Sequence, residues 1–272
     1  MPTGVKVSRF SHMNIVVDGL DASVERMREL FGAEFLLDLP GPDWHACLIE
    51  IGNVIIELFA PSHFMLHSRN GPLHLGIEYV SDVDEARAAV AAHDVGIFRD
   101  IVAAIHTDPA DGFGVDFEFY AGSFHENNPP VLTQPIKPLS YWRDEHPLGL
   151  TGQKGYTHAV ADIVAASQFM QSLLYARPAY EVDRPELGAR AVGLEVADGV
   201  VELLTPTGPG QLQSDMYRSG EGIRSTQFSV RDTEQTRRHF TDRGVSLIPG
   251  TTPGSIAVAP EENCGLLFEF AE

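Results

Sequence analysis

One phrase comes back four times in this chain. An apolar run interrupted by a single carboxylate appears as "VIIELFAP" with Glu57, "VDFEFY" with Glu118, "VVELLTP" with Glu202 and "LLFEFA" with Glu269. Each follows, at a nearly constant interval, a strand-like stretch with an imidazole or amide in its middle: His12, His74, His158 and Gln227. The intervals are 57−12=45, 118−74=44, 202−158=44 and 269−227=42. Such regularity marks an internal repeat, and a repeat constrains the fold before any single element is assigned.

The carboxylates need a reason. Strand side chains alternate between faces, so Ile55, Glu57 and Phe59 share one face while Ile56 and Leu58 share the other. With both faces largely apolar, a carboxylate there either opens onto water or needs a partner, because burying it ionised and alone is prohibitive. A solvated Glu on an outer face would account for any one of the four. The common offset points instead to a shared role.

Around these landmarks the order of elements repeats. "VSRFSHMNIVV" reads as a strand, followed by a helix with Asp21 as N-cap, apolar Val24, Met27, Leu30 and Phe31 at helical spacing, and Gly32 as the stop. "EFLLDL", "WHACLIEI" and "VIIELFAP" then read as three strands, giving a βαβββ unit. The second unit runs from "LHLGIEYV" through a helix at 82–93, short strands at Ile97–Ile101 and Ala103–His106, and "GVDFEFY". The third opens with "GYTHAVAD" and has its helix at 163–175; the fourth opens with "IRSTQFSVRD" and has its helix at 232–243. Between the second and third units Pro129, Pro130, Pro135, Pro138 and Pro147 exclude a helix or central strand. This is a crossing segment, and Tyr141, Trp142 and Arg143 are the residues that would make it a lid. The expected organisation is α+β: a first domain at 1–122, a Pro-rich linker at 123–150 and a second domain at 151–272. Each domain pairs two βαβββ units in a curved, cup-shaped mixed sheet with helices outside. A crossed pairing of units 1 with 4 and 2 with 3 is chemically as complete as 1 with 2 and 3 with 4.

Composition narrows the partners. A net charge of −19 argues against nucleic acid and anionic membranes. Cys47 and Cys264 lie far apart with no C-x-x-C spacing, so neither a disulfide framework nor a cysteine metal knot is indicated. No basic-then-apolar leader opens the chain, and no apolar run approaches the ~18 residues of a membrane span. The expectation is a soluble cytoplasmic protein, for which a homodimer is an open option.

Four βαβββ units with His or Gln on each first strand and Glu on each last one resemble the vicinal oxygen chelate superfamily, which includes glyoxalase I, methylmalonyl-CoA epimerase, extradiol dioxygenases and bleomycin-type resistance proteins. The resemblance covers nearly the whole chain outside the linker. It implies a metal in each cup, held by His12, Glu57, His74 and Glu118 in the first half and by His158, Glu202, Gln227 and Glu269 in the second. "DPADGFGVDFEF" is similar to the family's D-P-x-G turn before its last ligand strand. His45, His63, His67 and His93 fall at polar or turn-like positions, while His106 precedes the Asp108–Pro109 turn, where a side chain could line a cup.

Two imidazoles and two carboxylates suit a divalent ion such as Zn, Ni, Co, Mn or Fe(II), with positions left for water or substrate. The resemblance implies an isomerase, epimerase or lyase that moves a proton beside the metal-chelated carbonyl of a small metabolite with adjacent oxygens, with Glu57 and Glu118 as catalytic carboxylates. A ring-cleaving Fe(II) dioxygenase using His12, His74 and Glu118 is the alternative, but Ile105 stands where that signature has Tyr. A metal-free binding or resistance protein is the third, yet all the ligand positions are polar.

Overall fold

A computed structural model describes residues 4–42, 44–61, 73–122 and 132–272, with the side chains of 73–75 outside the description. His63 and His67 therefore lie outside the described residues.

All four βαβββ units form. The first is β1 (Phe10–Val16), α1 (Leu20–Phe31), β2 (Glu34–Pro40), β3 (His45–Ile51) and β4 (Val54–Phe59). The second is β5 (Leu73–Val80), α2 (Val83–Ala92), β6 (Ile97–Ile101), β7 (Ala104–Thr107) and β8 (Asp116–Tyr120). The third is β9 (Leu150–Ala159), α3 (Ile163–Leu173), β10 (Arg177–Arg184), β11 (Ala189–Val196) and β12 (Gly199–Pro206). A helix that the sequence pattern does not announce, α4 (Gln211–Ser219), comes before the fourth: β13 (Gly222–Val230), α5 (Thr233–Thr241), β14 (Leu247–Pro249), β15 (Ile256–Val258) and β16 (Leu267–Ala271).

The helix ends follow from local chemistry. Asp82 caps α2 by accepting from the backbone N–H groups of Asp84 and Glu85, both at 2.9 Å, and Asp162 and Asp232 do the same for α3 and α5. Gly19, not Asp21, caps α1, because the helix starts at Leu20; Asp21 sits in the first turn, where a negative charge meets the positive end of the helix. Gly32 closes α1 in the left-handed region at φ 65°, a conformation glycine adopts without penalty. No helix is long and apolar enough to cross a membrane.

The strands make two eight-stranded mixed sheets, ordered β2-β3-β4-β1-β5-β8-β7-β6 and β10-β11-β12-β9-β13-β16-β15-β14. Within each unit the first and last strands are parallel neighbours, and the remaining ladders are antiparallel. Each sheet thus draws its strands from one half of the chain. By density of contacts the chain divides differently, into one compact unit of Met1–Ser11, Leu75–Ser123 and Gly155–Arg224 and another of His12–His74, Phe124–Lys154 and Ser225–Glu272. The first of these compact units has its own aromatic core, in which tilted ring pairs bring Phe10 to 5.2 Å from Tyr79 and Phe117 to 5.9 Å from Phe169 between centres, and the Tyr79 and Tyr156 hydroxyls bond at 3.1 Å. The second gathers Phe31, Phe228, Phe240, Phe268 and Phe270, all fully buried. Each such ring contributes roughly 1.5–3 kcal/mol of transfer free energy to its core.

The Pro-rich segment is not a free spacer in its described part. Thr133 donates its N–H to the Leu36 carbonyl at 2.7 Å, and Leu132 and Ile136 pack against Leu36, Leu48 and Ile55. Farther on, the Lys137 N–H and the Trp142 indole N–H donate to the two oxygens of Glu50, at 2.9 and 2.8 Å.

Candidate functional site

Register decides which of the repeated residues share a face. On the first sheet His12 is aligned with Ile55 and Asn14 with Glu57, so His12 and Glu57 stand on one face of neighbouring strands. His12 is buried, and its Nε2 lies 3.4 Å from Glu57 Oε2. Glu57 is the more open of the two, its side chain 16% exposed. On β5 and β8, Glu78 is aligned with Glu118, which puts two buried carboxylates side by side. Gly76 allows this approach: an added Cβ would meet the Asp116 carbonyl at 2.6 Å.

The first sheet thus carries two local sets: His12 with Glu57 on β1 and β4, and Glu78 with Glu118 on β5 and β8. His74 belongs to β5, but its side chain lies outside the described residues. Glu78 is the member that the sequence reading passes over. The available signal was a second polar residue in "LHLGIEYV", in register with the Glu118 already singled out.

His106 joins the same neighbourhood from β7. It is aligned with Glu118, its Nδ1 donates to Asp116 Oδ2 at 2.8 Å, and its Nε2 faces Glu118 Oε1 at 3.4 Å. Burial works against charge on this ring, but Glu118 and Asp116 together outweigh it and hold its pKa up at about 9. His12 and Glu57 stand beside an apolar wall: Leu48 is aligned with Glu57 and Ile55 with His12, so the packing of Leu132 and Ile136 flanks that face.

The second sheet arranges its counterparts otherwise. Glu202 is aligned with Thr157, and His158 with Leu203, so His158 points to the face opposite Glu202. There His158 Nε2 donates to the Phe113 carbonyl at 2.8 Å. Glu202 accepts from the Tyr180 hydroxyl and from Arg184 Nη2, each at 2.7 Å, and the side chains of Arg184 and Glu202 are 8% and 2% exposed. Burial, with Glu202 adding to it, pushes the Tyr180 phenol up, so the hydroxyl keeps its proton and donates. Leu212 and Met216 of α4 pack against Leu204, two residues along β12 and so on the face of Glu202. Gln227 and Glu269 are aligned, but Gln227 donates to Thr252 Oγ1 at 2.8 Å, while Glu269 accepts from the Thr251 N–H at 2.7 Å and the Ser255 hydroxyl at 3.2 Å. The structure does not bring His158 and Glu202 together as a ligand pair.

Comparison with known proteins agrees with this architecture. Residues 155–270 match the model of the Glyoxalase/Bleomycin resistance protein/Dioxygenase superfamily. No curated protein sequence matches the chain. Among solved structures, a mutant of 4-hydroxymandelate synthase from Streptomyces coelicolor is 14% identical with a TM-score of 0.76, over 97% of this chain and 92% of that one. A variant of homoprotocatechuate 2,3-dioxygenase from B. fuscum is 12% identical with a TM-score of 0.63, over 99% and 72%. Methylmalonyl-CoA epimerase from Mycobacterium tuberculosis is 23% identical with a TM-score of 0.42, over 44% and 87%. At these identities the likeness to the first two is one of fold.

Proposed function

We propose that the chain, whose residues 155–270 match the model of the Glyoxalase/Bleomycin resistance protein/Dioxygenase superfamily, is a divalent-metal-dependent lyase, isomerase or epimerase of the glyoxalase type. The residues proposed to hold the ion are His12, Glu78 and Glu118, with Glu57 beside His12. The observation that carries the reading is the pair of buried carboxylates, Glu78 and Glu118, aligned on neighbouring strands. Two buried carboxylates this close repel one another and have lost their hydration, so a cation between them relieves both costs. One imidazole with two carboxylates fits an ion of intermediate hardness, from the set Zn, Ni, Co, Mn and Fe(II). When bound, such an ion polarises a chelated carbonyl and acidifies the C–H beside it.

The chain's own residues supply the rest. Glu57 lies outside the trio and is partly open to solvent, so its carboxylate is the one placed to take a proton from a substrate carbon and return it. His12 Nε2 lies 3.4 Å from that carboxylate on the neighbouring strand. Leu48, Ile55, Leu132 and Ile136 form an apolar flank that favours a small metabolite with adjacent oxygens at one end and a non-polar body at the other. The second sheet's set has a structural role in this reading, since its carboxylates are committed to protein donors.

Two measurements test the proposal. Element analysis of the isolated protein is expected to find one divalent ion per chain. Proton NMR in heavy water, with a panel of 2-oxo-aldehyde thiol adducts, acyl-CoA esters and catechols, is expected to show solvent deuterium entering the carbon next to a carbonyl. Glu57→Gln should retain the ion and slow that exchange by ~10²-fold or more. A protein that takes up no divalent metal overturns the reading, and oxygen consumption with a catechol, without exchange, replaces it with ring cleavage.

A further inference from the structure

We propose that His106 is a positioning residue for Glu118, with Asp116 as the clamp that fixes the ring. The inference rests on the reading of Glu118 as a metal ligand and concerns residues that the repeat pattern does not single out.

Three facts converge. First, antiparallel pairing sets His106 directly beside Glu118, and alternation along β8 puts Asp116 and Glu118 on the same face, so both carboxylates turn toward one imidazole. Second, the group is sealed from solvent: the side chains of His106, Asp116 and Glu118 are 6%, 3% and 7% exposed. Third, the two contacts differ in kind. The 2.8 Å bond from Nδ1 to Asp116 is a full hydrogen bond that fixes ring plane and direction, whereas Nε2 meets Glu118 at 3.4 Å, a looser approach that leaves the carboxylate able to shift. The strands cannot slide past one another to undo this, since the Phe117 N–H donates to Thr107 Oγ1 at 2.8 Å between them.

A carboxylate ligand left alone can rotate about its last torsion and present either oxygen. With His106 along one side, Glu118 has one oxygen facing the ring edge, which narrows the orientations its carboxylate can take before a metal arrives. Outer partners of this kind orient ligands and are worth roughly 10–100-fold in metal affinity when removed. A buried ion group with no such role would serve stability alone.

The test uses Mn²⁺ as the probe, followed by the EPR signal of the free ion, with thermal melts of the metal-free proteins recorded in parallel. His106→Gln alone can donate its amide N–H to Asp116, which leaves a carbonyl rather than a donor toward Glu118, and is expected to weaken Mn²⁺ binding by ~10–100-fold. Asp116→Asn, which frees the ring, should do the same. In the double variant the side-chain amide introduced by Asp116→Asn can donate to the carbonyl introduced by His106→Gln, whose own amide nitrogen is then turned to donate to Glu118. Affinity should therefore recover at least ~10-fold over His106→Gln. Lowered melting temperatures with unchanged Mn²⁺ affinity in both single variants overturn the inference and leave the metal site standing. Wild type that binds no Mn²⁺ or other divalent ion overturns the metal reading and the inference with it. A measurement on the wild type alone covers variants that do not fold: adding Zn²⁺ should move the imidazole ¹⁵N resonances of His106, and resonances that stay in place reject the coupling.

Discussion

On the first sheet, Glu78 and Glu118 are buried side by side on β5 and β8, and His12 lies beside Glu57 on β1 and β4. On the second, the corresponding polar side chains are bonded to Arg184, Tyr180, Thr251, Thr252, Ser255 and the Phe113 carbonyl. Both sheets have the same strand order, so topology does not make the difference. It comes from an arginine at the end of β10, a helix laid on β12, and one step of register in β9. A duplicated scaffold can keep its carboxylates in both copies while tying those of one copy to protein donors.

The strongest way to break this contrast is to count metal. His12→Ala or Glu118→Ala should abolish the ion, a loss well beyond the ~10²-fold that removing an outer partner costs. Glu202→Ala and Glu269→Ala should leave the ion in place, measured by element analysis after dialysis. Metal lost from the second pair of variants with the fold intact would erase the asymmetry.

Next in size is the Arg184–Glu202 pair. Removing one member of a buried ion pair strands the other, so Arg184→Met should destabilise by about 3–5 kcal/mol in urea unfolding. Arg184→Met with Glu202→Leu should return most of that, because no charge is then left buried. A double variant as unstable as the single one would show that the pair is not the unit of stability.

The third test compares Glu50 with its counterpart at the end of β11, Glu195. Glu195 is aligned with Arg177 and bonded to it, half exposed. Glu50 is aligned with Glu34 instead and is fully buried; burial, only partly offset by the Lys137 and Trp142 donors, raises its pKa to about 7. In the unfolded chain this carboxyl loses its proton near its ordinary value of 4.5. Between those two pH values the folded state binds more protons, so stability is highest below the lower one and falls as pH rises toward 7. The span is on the order of 3 kcal/mol. Glu50→Gln should flatten that slope in melts across the window, while Glu195→Gln should change stability by less than ~1 kcal/mol at any pH.

The smallest effect expected is at Gln227. Replacing it with Met removes one hydrogen bond, to Thr252, and should cost about 1 kcal/mol with metal content unchanged.

The repeat made the four units legible, because apolar alternation and glycine or proline punctuation are local signals. The site was less legible because a sequence interval does not reveal a face. His12 and Glu57 are 45 apart in strands aligned at 55−12=43, an even remainder, so they share a face. His158 and Glu202 are 44 apart in strands aligned at 202−157=45, an odd remainder, so they do not. The same interval of 44 separates His74 and Glu118, in strands aligned at 116−76=40, an even remainder, so the strand register and not the interval is the decisive number. Glu78 carries no signal of this kind: its place comes from its register with Glu118, and no interval to a histidine marks it. α4 escaped notice because Leu212 and Met216 alone give it a narrow apolar stripe on an otherwise polar segment.

The bonds that Lys137 and Trp142 make to Glu50 bear on how such a chain can be cut or recombined. A first-half fragment ending at 122 keeps every strand of its sheet yet strands a buried carboxyl without its two donors and bares the edge of β2 that Thr133 covers. A fragment ending after Glu145 keeps both. Anyone exchanging halves between relatives should therefore treat residues 132–145 as cargo of the first half. The seam between the two copies has been absorbed into one of them, and the crossover point lies beyond it.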